Sequence, residues 1–550
     1  MTPRAQRIAL LETTPFDVVV VGGGITGAAV ARDAASRGLR TALLEREDWA
    51  SGTSWRSSKL IHGGLRYLAS GQIHLVFESL AERNRLTALA PHLVEPAPFL
   101  FPAYRGRGVS PVLLRLGLTV YDLLAPRRYE RHRSFPKESL IAQERLIESP
   151  DLLSGAVYWD ARTDDARLTL ENVLDAAALG AVTSSRMEVL GLRKDGAGRI
   201  RGVSARDRES GRGLEISALA VVNATGPWGD RLRGQDQPGV PPQLRLSRGA
   251  HITVPAGRLR VKQPVAASSP DGRLLFAIPY DSVTLLGTTD RDFSGSPDEV
   301  AAEREDVEFL LKAANAVFPS ASLSVSDIVA TFAGLRPLIS ETGKHVQDTS
   351  REDSVTVSSS GLVTVSGGKL TTHRRMGARA MERVADVLRQ HGREIGRSAT
   401  SERPFPGKPE RPLPVFLAEL IRSGKELGVD AVTAEHLGRR YGKRAAEVLA
   451  LLAAERSLGD RLAPELPDIA AEVVFAARRE DARSIGDLMI RRMHLFWQAA
   501  DQGVGALARV ASLAARELRW DEAGEKASVA EYLSEIRRSR RYQGVSEIRE

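Results

Sequence analysis

Phe16 to Val21 is a short apolar run rich in β-branched residues, followed by glycines and then by an Ala-rich stretch from Ile25 to Arg37. The pattern predicts strand, turn and helix, and Leu39 to Leu44 adds a second buried strand to complete a βαβ unit with a parallel sheet. After a Ser/Gly-rich loop at 50–64 the periodicity predicts a mostly helical stretch to about Leu124. Strand-like alternation returns after Gly180, and 218–223 is another buried strand. From about 244 to 290, β-rich segments punctuated by Gly and Pro predict a larger antiparallel sheet. Residues 403–413, Arg-Pro-Phe-Pro-Gly-Lys-Pro-Glu-Arg-Pro-Leu, are the best linker candidate, and the pattern beyond them is helical.

Length changes this picture only by requiring more than one unit, since 550 residues exceed what a single core supports. The absence of cysteine changes it more. Disulfides, thiolate-bound metals, iron–sulfur clusters, a Cys nucleophile and a sulfur-tethered flavin are all excluded, so redox chemistry here needs a bound organic cofactor. The net charge of +8 is compatible with nucleic acid, anionic lipid or an anionic substrate and does not choose among them. No zinc-finger spacing or RNA-recognition aromatic motif supports nucleic acid. No stretch has the roughly 20 apolar residues of a membrane span, and residues 1–15 lack a signal-peptide core, so the expected location is the cytoplasm, with surface attachment open.

Gly22, Gly24 and Gly27 form Gly-x-Gly-x-x-Gly between the first strand and helix, and Glu45 ends the second strand. That context predicts a Rossmann-like dinucleotide site: Gly22 for the tight turn, Gly24 for approach to a pyrophosphate, Gly27 for helix–strand packing, and Glu45 for ribose hydroxyls. Nicotinamide and flavin dinucleotides share this signal. No second fingerprint of this type is visible, which favours a flavin that takes hydride directly from substrate.

The loop Ser57-Ser58-Lys59-Leu-Ile-His62-Gly63-Gly64-Leu-Arg66-Tyr67-Leu joins small residues, basic side chains and a histidine. It resembles the signature of the FAD-dependent, respiratory glycerol-3-phosphate dehydrogenases, within the D-amino-acid-oxidase-like flavoprotein superfamily. Further matches follow in order: Asp164-Asp165-Ala-Arg167-Leu, Val222-Asn-Ala224-Thr225-Gly226-Pro-Trp228, Gly287-Thr288-Thr289-Asp290, Gly334-Leu-Arg336-Pro337-Leu and Gly367-Gly368-Lys369-Leu370-Thr371-Thr372. His373-Arg374-Arg375 stands where Tyr-Arg-Lys is common in the family.

The resemblance implies an α/β fold with a Rossmann-like FAD-binding domain, a larger antiparallel-sheet substrate domain and a helical C-terminal domain. The expected division is an oxidoreductase region at 14–402, with FAD-binding parts near 14–95, 150–240 and 355–402 and a substrate part near 241–354. The 403–413 linker and a helical domain at 414–550 follow. The implied reaction is oxidation of sn-glycerol 3-phosphate to dihydroxyacetone phosphate, with electrons passed to ubiquinone or menaquinone. A glycerol-phosphate oxidase using oxygen and an amine or amino-acid oxidase stay open as alternatives.

Expected FAD contacts are Gly22, Gly24, Ile25, Thr26, Gly27, Glu45, Ser57, Ser58, Lys59, His62, Gly63, Gly64, Ala224, Thr225, Gly226, Gly334, Gly368, Lys369, Leu370, Thr371 and Thr372, with the FAD held non-covalently. His62 is the first candidate for the base, because an imidazole titrates near operating pH, and Lys369 is the runner-up. Arg336 and Arg66 are the phosphate-binding candidates, with Tyr67 and Thr289 as neutral donors and Arg351 as a third cation. Pro111 to Leu124, followed by Arg127, Arg128, Arg131 and Arg133, predicts a monotopic contact with an anionic membrane surface. A homodimer is left open.

Overall fold

In the computed structural model, which describes residues 2–69, 71–125, 130–340 and 352–544 but not the side chains of Arg66 and Ala69, the Phe16–Val21 strand lies at the centre of the first sheet. All six of its residues are buried, as expected of a strand covered on both faces. The main strand order is Asp353–Val357, Leu362–Gly367, Gly213–Asn223, Phe16–Val21, Thr41–Leu44 and Val182–Ser184. Every neighbouring pair is parallel except the Asp353–Val357 edge. The helices Ile25–Ser36, Asp165–Ala178 and His373–Arg389 pack side by side against this sheet.

The second sheet has ten strands and is built around Leu244–Pro255, which pairs with Val283–Gly287 on one side and Ala330–Ile339 on the other. It is antiparallel apart from one pair, Val265–Ser268 beside Val94–Tyr104. Four of its strands come from outside the 241–354 stretch: Val94–Tyr104, Leu152–Thr163 and the short Leu60–Ile61 and Arg133–Pro136. The first of these corrects the expectation of a mostly helical stretch to about Leu124. Pro96, Pro98 and Pro102 disguise it, because proline argues against an interior strand. They are tolerated because Leu100, in the same phase, donates its N–H to Pro264 O and not to the long antiparallel partner. Proline's missing donor therefore never interrupts that ladder.

The helical region from Leu413 to Ser539 is not a separate body. Its core is continuous with the second sheet, with Tyr280 edge-on to Trp497 at 4.9 Å and Trp55 near both Phe332 and Phe496. The expected linker is also docked: Phe405 is buried with the Arg32 guanidinium 4.1 Å above its ring, and Gly407 N–H donates to Glu171 Oε2 at 2.9 Å.

Candidate active site

Gly22 has φ +105°, and a Cβ added there would meet Ala224 O at 2.6 Å. At Gly27 an added Cβ would lie 1.8 Å from Gly22 O, so the helix can cross the strand only without a side chain. Gly24 differs: a Cβ there meets only Ser54 Oγ, at 3.1 Å, leaving the helix N-terminus open to a ligand. Ser54 Oγ accepts the Ile25 N–H at 2.9 Å, and Glu45 accepts from Gly23 N–H at 2.6 Å and Glu47 N–H at 2.7 Å. Burial pushes the Glu45 carboxyl up despite these two bonds. A glycine-lined helix start with a carboxylate beyond it fits the diphosphate and ribose of FAD.

The cradle opens into a cavity of about 1370 Å³, larger than an ordinary small-ligand pocket and able to take a dinucleotide with a substrate beside it. Two distant loops meet at its middle. His62 N–H donates to Thr371 Oγ1 at 3.1 Å and the same hydroxyl donates back to His62 O at 3.2 Å. This ties the 57–64 loop to the turn between the Leu362–Gly367 strand and the His373–Arg389 helix, where Gly367 and Gly368 have φ of +73° and +84°. Lys369 Nζ lies 3.6 Å from the centre of the Tyr67 ring, on the cavity wall. Behind them Gly63 N–H donates to Tyr121 Oη and to Asp160, which Arg83 holds at 2.7 Å.

Strand alternation brings Gly249, His251, Gly334 and Arg336 to one face, the floor of the cavity. The Arg336 guanidinium crosses Gly249, where a Cβ would come within 2.4 Å of it. It donates to Thr288 Oγ1 at 3.0 Å and Thr289 O at 3.1 Å, with Asp290 at 3.3 Å. His251 is the residue sequence reasoning missed. Its Nε2 shares a 2.8 Å hydrogen bond with Ser58 Oγ, and its ring stacks on Phe332. Burial first, and then Arg336 and Lys59, hold its pKa down to about 3, so the imidazole stays neutral. Only its position opposite Gly287, whose lost side chain makes room for the ring, could have marked it.

Most of the predicted residues line this cavity: Gly22, Gly24, Ile25, Thr26, Glu45, Ser57, Ser58, His62, Gly64, Tyr67, Ala224, Thr225, Gly226, Gly334, Arg336, Gly368, Lys369, Leu370 and Thr371. Gly27, Gly63 and Thr372 lie one layer behind, shaping the backbone. Two expectations are corrected. Lys59 is buried away from the cavity, its ammonium donating to Asp165 at 2.6 Å and Trp55 O at 2.9 Å, because Asp165 would otherwise be a buried lone charge. Thr289 turns inward to accept the Ala250 N–H at 2.9 Å, and Thr288 faces the cavity in its place. The Arg66 side chain and Arg351 lie outside the described residues.

One wall of the cavity is apolar, formed by Leu68, Phe99, Phe101, Leu113, Leu116, Val120 and Phe276. The Pro111–Leu124 helix brings Leu113 and Leu116 to the open rim of this wall, where both stay exposed, and leaves Val112 and Leu123 exposed away from the cavity.

The family described as FAD dependent oxidoreductase matches residues 17–402, and the C-terminal domain of alpha-glycerophosphate oxidase matches 398–525. The chain is 35% identical over 503 residues to an aerobic glycerol-3-phosphate dehydrogenase of Staphylococcus haemolyticus, covering 88% of this chain and 87% of the relative. It is 36% identical over 528 residues to glycerol-3-phosphate dehydrogenase 2 of Mycobacterium tuberculosis, covering 96% and 89%. Among solved structures, the glycerol-3-phosphate dehydrogenase from Bacillus halodurans complexed with FAD superposes with TM-score 0.83 at 30% identity over 99% of each chain.

Proposed function

The chain belongs to the family of FAD-dependent glycerol-3-phosphate dehydrogenases, and on that premise we propose that it oxidises sn-glycerol 3-phosphate to dihydroxyacetone phosphate and delivers the electrons to ubiquinone or menaquinone. The observation that carries this reading is a single cavity shared by the dinucleotide cradle, His62, Lys369 and Arg336. FAD, bound without a covalent link, supplies the acceptor for the hydride lost from the secondary alcohol carbon.

His62 takes the hydroxyl proton in this reading, and Lys369 stabilises the negative charge that builds up as the hydride leaves. Arg336 donates to the substrate phosphate, with Arg66 and Tyr67 as further donors and Arg351 as a third cation. The neutral His251 imidazole beside Ser58 is a fixed hydrogen-bonding group on the floor. In single-turnover reduction, His62→Ala is expected to lose far more rate than affinity. Survival of the step in that variant, with its loss in Lys369→Ala, reverses the assignment of the base.

The apolar cavity wall supports a lipid-soluble acceptor over oxygen, and the exposed side chains of the Pro111–Leu124 helix support attachment to a membrane surface. Arg131 and Arg133 are exposed beyond that helix, while Arg127 and Arg128 lie outside the described residues. Among the described residues no helix is long and apolar enough to cross a membrane. Anaerobic glycerol 3-phosphate should bleach the yellow protein, and a short-chain quinone should restore the colour faster than air. Peroxide formation without quinone turnover, and no binding to anionic liposomes at low salt, would replace this reading with a soluble oxidase.

A further inference from the structure

Arg56 has no role in the reading above, yet it lines the same cavity. Its backbone is fixed on both sides. It follows the Thr53–Trp55 turn, in which Ser54 caps the cradle helix through Ile25 N–H and Thr53 Oγ1 donates to Leu335 O at 2.6 Å. Its own Cβ and carbonyl press on Gly334, where an added Cβ would meet them at 3.1 and 2.9 Å. Arg56 thus stands between the cradle and the strand that carries Arg336.

The fully buried arginines hold a carboxylate each: Arg32 has Asp175, Arg83 has Asp160, Arg167 has Glu480 and Arg492 has Asp48, whereas Arg56 is half-buried. Among the described residues nothing accepts a hydrogen bond from the Arg56 guanidinium, which lies 5.1 Å from the centre of the Trp55 ring. The charged groups that act on it are Glu535, Arg538 and Arg491, so its surroundings carry more positive than negative charge. Desolvation in that setting lowers its pKa to about 10. A half-buried cation in such surroundings is stabilised by an anion that arrives with a ligand.

We propose that Arg56 is a phosphate-recognising residue whose guanidinium donates to a phosphate oxyanion held in the cavity. This rests on the reading that the cavity takes FAD and a phosphorylated substrate, and the two ligands supply the same chemistry: the cofactor's diphosphate or the substrate's phosphate. The capping turn that carries Arg56 adjoins the cradle helix, which places the diphosphate first.

The test uses Arg56→Met, which keeps an unbranched stem against Trp55, and Arg56→Lys, which keeps the charge. Apoprotein of each is titrated with FAD by flavin fluorescence, its melting temperature is checked against wild type, and KM for glycerol 3-phosphate is measured on fully loaded enzyme. The expected result is FAD binding weaker by about 10- to 100-fold in Arg56→Met, the range of one charge-assisted hydrogen bond, with partial recovery in Arg56→Lys. Unchanged FAD affinity with a comparable rise in KM supports the same chemistry and moves it to the substrate. Unchanged FAD affinity together with unchanged KM in Arg56→Met overturns the proposal. FAD titration does not require glycerol 3-phosphate to be the substrate, so failure of the functional reading shows separately, as wild-type protein that the substrate does not bleach.

Discussion

At the dinucleotide cradle, Gly22, Gly24 and Gly27 act through atoms they lack: a turn, a ligand approach and a helix crossing each need the missing Cβ. At the seam where the helical region meets that cradle, contact is made by charge. Asp48, in the loop just after Glu45, accepts from Arg491 at 2.5 Å and from Arg492 at 2.8 Å through each carboxylate oxygen. Nearby, Arg186 holds Asp487 at 2.9 Å, Arg7 is paired with Asp481, and His494 lies 3.2 Å from Asp164. His494 and neighbouring Lys59 hold the Asp164 carboxyl well below the usual range against the effect of burial. Gly22 and Gly27 exclude a side chain sterically, because an added Cβ meets backbone at 2.6 and 1.8 Å. The seam is a network of desolvated charges, where the penalty for losing one partner exceeds the value of the pair itself.

The sharpest way to break this contrast is Gly24→Val. Its Cβ meets only Ser54 Oγ, so the fold should survive while flavin is lost, giving colourless protein with wild-type circular dichroism. A yellow Gly24→Val protein would mean that the open helix start is not the diphosphate site. Next in size is Asp48→Ala, which strands two buried guanidinium groups and should cost about 3–5 kcal/mol, read from denaturant unfolding. A loss below about 1 kcal/mol would show that Arg491, which also holds Asp487 at 2.6 Å, finds compensation within the helical region.

Arg336→Ala tests the site in place of the scaffold. It should lower kcat/KM by about 2–5 kcal/mol with FAD content near wild type, and Arg66→Ala should act in the same direction. Wild-type kinetics in both would move the phosphate elsewhere, with Arg351 next in line.

The smallest expected effect per residue is acid destabilisation. Burial holds His92 and His251 to about 3 and His373 to about 4. The unfolded chain takes up these protons near pH 6.5 and the folded chain does not, so their contribution is intact above that pH and lost as pH falls. Each imidazole should remove roughly 1 kcal/mol by pH 5.5 relative to pH 7, measured by denaturant titration at both. Flat stability over that interval would mean that these imidazoles gain charge without unfolding.

The sequence made the first strand, the cradle helix and the Gly367–Thr372 turn readable because their constraints are local: apolar runs, glycines at fixed spacing and a helix start. Val94–Tyr104 was unreadable because its prolines are harmless only for the side of the strand they face, which depends on a partner near residue 264. Motif position puts Lys59 and Thr289 in the site, whereas their burial depends on Asp165 and Ala250, which local spacing cannot reveal. His251 carries no motif, since what defines it is an opposing glycine on the next strand. The charged seam was the least legible part, with partners separated by 443 and 444 positions.

The docked 403–413 stretch decides where this protein can be divided. A chain ending at Glu402 would keep every glycine of the cradle, yet it would leave the buried Arg32 without the Phe405 ring and the Arg403 carbonyl that it contacts at 2.7 Å. It would also leave Asp48 and Asp164 without their cationic partners from the far end of the chain. The catalytic half is therefore not a portable module: the boundary visible in the string of amino acids is a suture, and a cut there would release two fragments, neither carrying a finished surface.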